Sequence, residues 1–152
     1  NRQTLARASN TPGRTQEINF FDVAESRFWM VDLPGYGFAS APKKNVQVCS
    51  QLNLNYLRSR SKLKRVFVLI DSRRGLGDVD RGVMEQLDSA AAHYQVVLTK
   101  TDKIKKSEVA EVIAATKAAL MKQPAAHPHV LATSSEKGIG MPELRATILS
   151  LA

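Results

Sequence analysis

Three short loop motifs carry the chemistry of this 152-residue chain: Asp32-Leu33-Pro34-Gly35, Thr99-Lys100-Thr101-Asp102 and Ser134-Ser135-Glu136-Lys137-Gly138. Each follows a short apolar run that reads as a buried strand. An Asp-x-x-Gly at a strand end suits phosphoryl transfer. Its carboxylate reaches a water on Mg²⁺, and the glycine N–H approaches a terminal phosphate closely because no side chain intrudes. Gain or loss of that phosphate then moves the loop that follows.

The second motif suits base reading. Asp102 can accept the ring N–H and the exocyclic amine of guanine as a bidentate pair, which adenine does not offer in that arrangement. Lys100 can lay its aliphatic stem along the base face. Thr99 offers a hydroxyl that ties neighbouring loops, with fewer hydrogen bonds than an amide side chain would make there. In the third motif, Ser134 and Ser135 can present backbone N–H groups to the guanine carbonyl oxygen, and Thr101 and Thr133 complete the nucleotide-contacting set. Singly, each motif is weak. Asp32 can merely close a turn, Asp102 can cap a polar loop, and Ser-Ser-Glu-Lys-Gly can be a turn and nothing more. Together, in this order and each at the end of a strand, they imply a guanine-nucleotide site. No Gly-x-x-x-x-Gly-Lys-Ser/Thr occurs in the 152 residues, so the phosphate-cradling loop is expected outside this sequence.

The elements that must position these loops alternate between strand and helix. Residues 18–23 and 28–33 are apolar runs around a polar turn, which predicts a hairpin. Pro42 opens a predicted helix to about residue 60. Residues 65–71 form a β-branched, continuously apolar strand, as expected when both faces are covered. Asp78 or Asp80 is expected to cap a helix carrying Val83 and Leu87. Residues 95–98 form the next strand. Ser107 is expected to cap a helix with Val109, Val112, Ile113, Thr116 and Leu120 at helical spacing. A strand over 129–132 and a helix from Pro142, with Leu144, Ile148 and Leu151 inward, complete the chain. Trp29 is expected in the core. This alternation predicts a doubly wound α/β domain, mostly parallel, with helices on both faces.

Composition sets the outer bounds. With 43% hydrophobic residues the chain suits a single domain over residues 1–152, and its start at Asn1 reads as an N-terminally incomplete one. A single cysteine, Cys49, cannot form an internal disulfide, which fits a reducing compartment: the cytoplasm, or an organelle matrix in a eukaryote. No apolar run is long enough to span a bilayer, so no membrane partner is expected. His93, His127 and His129 lack metal-ligand spacing. The formal net charge is +8. Arg58, Arg60, Lys62, Lys64 and Arg65 cluster, followed by Arg73 and Arg74, and such clustering is the electrostatic footprint of a polyanion, most often nucleic acid.

Several longer segments carry a family resemblance. Thr11-Pro12-Gly13-Arg14-Thr15-Gln16, Ile18-Asn19-Phe20-Phe21, Asp32-Leu33-Pro34-Gly35-Tyr36-Gly37-Phe38-Ala39 and Val68-Leu69-Ile70-Asp71-Ser72-Arg73 resemble the EngB ribosome-biogenesis GTPases over essentially the whole chain. The resemblance implies a P-loop GTPase-like fold, GTP and GDP as ligands, and Mg²⁺. It implies a monomer acting with ribosomal RNA in large-subunit assembly, and in bacteria a link to division septation. It makes Gly13, Arg14, Thr15, Gln16 and Glu17 the nucleotide-contacting switch segment, with the Thr15 hydroxyl on Mg²⁺ and Asp32 reaching the ion through water. Glu17 stands where the family usually has an apolar residue. Tyr36 follows Gly35 where many GTPases place a water-orienting glutamine, so unaided hydrolysis is expected to be slow. Without its first strand and phosphate loop, the chain alone is expected to bind nucleotide poorly and to fold badly. Two other readings stay open: a pseudo-GTPase adaptor for RNA or the ribosome, and a GTPase acting at membranes or on another protein.

Overall fold

The computed structural model describes residues 18–23, 27–33, 35, 56–57 and 59–152. Two compact units divide the chain, Asn1–Asn55 and Tyr56–Ala152. Residues 42–55 of the expected Pro42 helix, with Cys49, lie outside the described residues, while residues 56, 57 and 59 near its expected end are helical; residues 11–17, Pro34 and Arg58 also lie outside.

In the first unit, β1 (Asn19–Val23) and β2 (Phe28–Asp32) pair antiparallel, from Asn19 opposite Asp32 to Val23 opposite Phe28. The expected hairpin is therefore present. Alternation sorts its side chains: Phe21, Val23 and Phe28 share one face and are half-buried, while Phe20, Asp22 and Trp29 share the other. Trp29 is not the core residue that its apolar neighbours predicted. It is 59% exposed, because register places it beside Asp22 on the polar-edged face. There it makes an edge-on contact with the Phe20 ring, centroids 6.5 Å apart.

The second unit holds a parallel sheet in the order β3 (Val66–Asp71), β4 (Tyr94–Thr99), β5 (Leu131–Ala132). Helices α1 (Asp78–Ser89), α2 (Lys106–Leu120) and α3 (Met141–Leu149) follow the successive strands. Central β4 is buried from Tyr94 to Leu98, and with Val68, Ile70, Met84, Leu87, Leu120 and Leu131 it forms the core. β3 departs from the expectation of two covered faces. Val68 and Ile70 are buried, yet Leu69 between them is 61% exposed, and among the described residues β3 pairs only with β4.

Helix starts differ from the sequence reading in an instructive way. Gly77 and Lys105 are the N-caps, and neither Asp78 nor Ser107 holds that place. Asp80, one of the two residues expected to cap, does so from the third helical position, its Oδ2 accepting the Gly77 N–H at 2.9 Å, and at the second helix Glu108 Oε2 rather than Ser107 accepts the Lys105 N–H at 2.8 Å. Of the spaced residues on α2, Thr116 and Leu120 are buried and Val109, Val112 and Ile113 half-buried. Leu144 and Ile148 of α3 are half-buried, while Leu151 lies past the helix end.

Strand β5 is shorter than expected because side chains take over its ladder. The His129 N–H donates to His127 Nδ1 at 3.2 Å, and the His129 carbonyl accepts from Gln95 Nε2 at 3.0 Å. Gly140, ahead of α3, has φ +65° and sits against β5. A Cβ there would fall 2.1 Å from the Ala132 carbonyl oxygen, a backbone atom that cannot swing aside. Replacing Gly140 with Ala is expected to cost about 2 kcal/mol or more. Urea denaturation should show a lowered midpoint at an unchanged slope.

Candidate functional site

The loops after β3, β4 and β5 meet at the C-terminal edge of the sheet, where ligands sit in open α/β folds. Hydrogen bonds stitch them together. Ser72 N–H donates to Thr99 O at 2.9 Å, and Thr99 Oγ1 donates to Ile70 O at 3.2 Å. Thr101 donates to Thr133 O through both N–H, at 3.2 Å, and Oγ1, at 3.1 Å. Thr133 in turn donates to Leu98 O through N–H, at 2.7 Å, and Oγ1, at 3.0 Å. Thr101 and Thr133 are both buried, so these two residues of the expected set act as ties between loops.

Between the ties the chain makes a tight excursion. Lys100 takes a left-handed conformation, φ 57° and ψ 35°, and a single 3₁₀ turn, Thr101–Lys103, follows. That turn aims Asp102 into the angle between the second and third loops. The Asp102 side chain is only 7% exposed, and its Oδ2 makes no hydrogen bond among the described residues. Lys103 Nζ stands 3.3 Å from Oδ2 and bridges on to Glu136 Oε2 at 2.7 Å, which clasps the two loops. The Ser134 hydroxyl, foremost, and the Lys103 ammonium hold the Asp102 carboxyl below the usual carboxylate range, against the effect of burial. A buried carboxylate kept ionised with an oxygen unspent can take N–H donors from a ligand.

The third loop provides one such complement. Ser134 N–H is already committed to Ile139 O at 2.9 Å, and Ser134 Oγ accepts the Lys137 N–H at 3.1 Å. Of the two backbone donors expected for a carbonyl ligand, Ser135 N–H is the one with no hydrogen bond among the described residues. On the other side of Lys100, its Nζ meets Asp71 Oδ2 at 3.1 Å. Sequence reasoning treated Asp71 only as a strand end and passed over Lys103 and Glu136 as partners. The signal for Asp71 was available, since it closes an apolar run just as Asp32 does.

Asp32, Leu33 and Gly35 belong to the first unit, where Asp32 ends β2 with its residue exposed. Gly13, Arg14, Thr15, Gln16, Glu17 and Pro34 lie outside the described residues. Among the described residues no group of three or more His, Cys, Asp or Glu side chains could hold a metal ion. A lone strand-end carboxylate suits a hard cation that keeps most of its waters, and would not form a protein cage. The basic candidates divide by what engages them. Arg65 Nη1 donates to buried Gln95 at 2.9 Å, and Arg73 is paired with Asp71, while Lys62, Lys64 and Arg74 are exposed. Arg60 lies over the Tyr56 ring at 5.1 Å.

Comparison with known proteins gives these loops a context. A family model described as 50S ribosome-binding GTPase matches residues 1–100. A GTP-binding protein EngB of Caulobacter vibrioides is 58% identical over 151 residues, spanning 99% of this chain and 66% of the relative. The EngB protein of a Rhodopseudomonas palustris strain is 52% identical over 99% of this chain and 70% of the relative. The chain belongs to the EngB family of GTP-binding proteins. It spans about two thirds of the length of the curated relatives it matches. Solved structures agree on the fold. An EngB crystal structure aligns with TM-score 0.72 at 20% identity, over 95% of this chain and 84% of that one. Era, solved with MgGDPNP and nucleotides 1506–1542 of 16S ribosomal RNA, aligns with TM-score 0.75 at 20% identity, over 97% of this chain and 48% of that one. The fold is that of the P-loop GTPases, a mixed α/β architecture with a parallel sheet. Among the described residues no helix is long and apolar enough to cross a membrane.

The electrostatics of Asp102 make a prediction. Its lowered pKa means that its contribution to stability is present above the ordinary carboxylate value of 3.8 and is lost as pH falls through the lower folded-state value. Ser134→Ala removes the foremost cause, so the Asp102 pKa should rise toward 3.8, as read by NMR titration of the side-chain carboxyl carbon.

Proposed function

We propose that this chain is the base-reading and switch part of an EngB protein that binds GTP and GDP, hydrolyses GTP slowly and acts in assembly of the large ribosomal subunit. In bacteria we link the same cycle to division septation. The observation that carries the nucleotide reading is Asp102: a largely buried carboxylate held ionised between two stitched loops, its Oδ2 without a hydrogen bond among the described residues and with only the Lys103 ammonium beside it at 3.3 Å.

In this reading Asp102 accepts the guanine N1–H and N2–H, and Ser135 N–H donates to O6. Adenine turns an acceptor toward Asp102 at N1 and leaves a buried acceptor without a donor, which is a large penalty in a desolvated site. Lys100 covers one face of the base. In the same reading Gly35 N–H would meet the terminal phosphate, and Thr15 and, through water, Asp32 would hold Mg²⁺. The ion neutralises phosphate charge when bound. Tyr36 next to Gly35 cannot orient a water as an amide does, which is why turnover is slow. The ribosomal half of the proposal rests on the family model's description and on the net charge of +8. Exposed Lys62, Lys64 and Arg74 are the phosphate-contacting candidates that the fold has not otherwise engaged, with Arg58 and Arg60 beside them in sequence. The protein is expected to work as a monomer in the bacterial cytoplasm.

Two experiments test the proposal on the full-length protein. Fluorescent GDP should bind saturably and be displaced by GTP but not by ATP. Asp102→Asn should weaken GDP binding about 100-fold or more and favour xanthosine diphosphate, whose C2 carbonyl suits the new amide donor. GDP binding that ATP displaces equally would overturn the guanine assignment. Secondly, the double variant Lys62→Ala/Lys64→Ala should weaken ribosomal RNA binding and reduce the slope of log affinity against log salt by about 2. An unchanged slope would remove these lysines from the interface.

A further inference from the structure

Asp71 closes β3 directly opposite Thr99, and its side chain is 14% exposed. Cations converge on it from two directions. Arg73 donates from Nε to Oδ1 at 2.9 Å, from Nη2 to Oδ2 at 2.6 Å, and from its own backbone N–H to Oδ1 at 3.0 Å. Lys100 Nζ reaches Oδ2 at 3.1 Å. The Arg73 bonds are local and close the turn after β3, where Arg74 and Gly75 also donate N–H to Asp71 O. The Lys100 bond is different. It crosses from one strand end to the next and engages the side chain that flanks Asp102.

We propose that Asp71 is a positioning residue for guanine-nucleotide binding: it anchors the Lys100 ammonium at the end of β3, so that the lysine stem is already laid where the base will stack. This inference rests on the nucleotide reading above and identifies what orients its base-covering side chain. A free lysine samples many rotamers, and ordering it on a ligand costs binding free energy. A stem tethered at its charged end has that ordering done beforehand. Arg73 contributes by fixing the carboxylate's plane through both oxygens, and Oδ2 is shared between its Nη2 and the Lys100 ammonium. The two cations, Arg73 foremost, hold the Asp71 carboxyl far below the usual carboxylate range, so the anchor is ionised at neutral pH.

Exposure separates this role from a purely structural one. The Asp71 carboxylate is 14% exposed and its lowered pKa makes its charge part of fold stability, chiefly through Arg73, whereas the Lys100 ammonium is 55% exposed and its pair adds little. Loss of the Lys100 ammonium should therefore be felt in ligand binding and hardly at all in melting of the nucleotide-free protein.

The test is a double-mutant cycle on the full-length protein, read as fluorescent-GDP affinity together with nucleotide-free melting. Asp71→Asn keeps the size of the side chain and can still accept from the Arg73 N–H. Lys100→Met keeps an apolar stem and removes the ammonium. Each single variant should weaken GDP binding about tenfold, mainly through faster dissociation, and Lys100→Met should do so with the melting midpoint unchanged. The double variant should be no weaker than Lys100→Met alone. Affinity of Asp71→Asn within about twofold of wild type would overturn the inference and leave the guanine assignment standing. So would additive losses, which would mean that Asp71 acts other than through Lys100. If Asp71→Asn does not fold, Lys100→Met decides alone, and an affinity within about twofold of wild type overturns the anchor. Absence of GDP binding by the wild-type protein would defeat the nucleotide reading itself, and the inference with it.

Discussion

The site depends on the two-residue tie between Thr101 and Thr133. Thr133 donates twice to Leu98 O at the end of the central strand and accepts twice from Thr101 at the start of the next loop. Those bonds are buried, so each is made in a medium where an unmade polar group is expensive. Their consequence is geometric. They fix the turn that carries Asp102 to the third loop without using either Asp102 or the Ser135 N–H. A recognition site needs its binding groups unspent and their supports fully spent, and here the two tasks fall on different residues.

Charge follows the same division. Asp102 and Asp71 are both mostly buried carboxylates with partly exposed cations beside them, yet their surroundings differ. Asp71 meets nitrogen donors on both oxygens and has no capacity left for a ligand. Asp102 keeps Oδ2 without a hydrogen bond, with Lys103 at ion-pair distance and bridged away toward Glu136. Two aspartates of similar burial, one ending β3 and one in the turn after β4, are thus told apart by hydrogen-bond count, which no reading of the sequence supplies.

What the sequence made legible was the local grammar. The hairpin, the order of strands and helices, and the location of two loops at strand ends follow from apolar period and turn chemistry, which act within a few residues. What it missed depended on partners far along the chain. Trp29 reads as core because its neighbours are apolar, but its face is decided by register against Asp22. Arg65 reads as part of a basic patch, but Gln95, thirty positions on, takes its guanidinium. Strand β5 shortens because His127 and Gln95 claim the groups at His129 that a ladder would have used. The cap errors are of another kind. Asp78 and Ser107 have the right chemistry, but Asp80 and Glu108 reach back from the third helical position to the preceding N–H.

The backbone at Lys100 ties these threads together. A residue with a β-carbon in the left-handed region costs roughly 1 kcal/mol or more, and glycine or asparagine would enter it more easily. A lysine there runs against local preference, so the neighbours must compensate: Lys103 N–H returns to Lys100 O at 3.0 Å, and the flanking residues Thr99 and Thr101 are tied to β3 and to Thr133. Departures from local preference that the surroundings hold in place concentrate where a side chain is needed for itself. At this position only the side chain distinguishes lysine from the easier residues. Its long stem and charged tip are what the strained turn delivers, the tip to Asp71 and the stem beside Asp102.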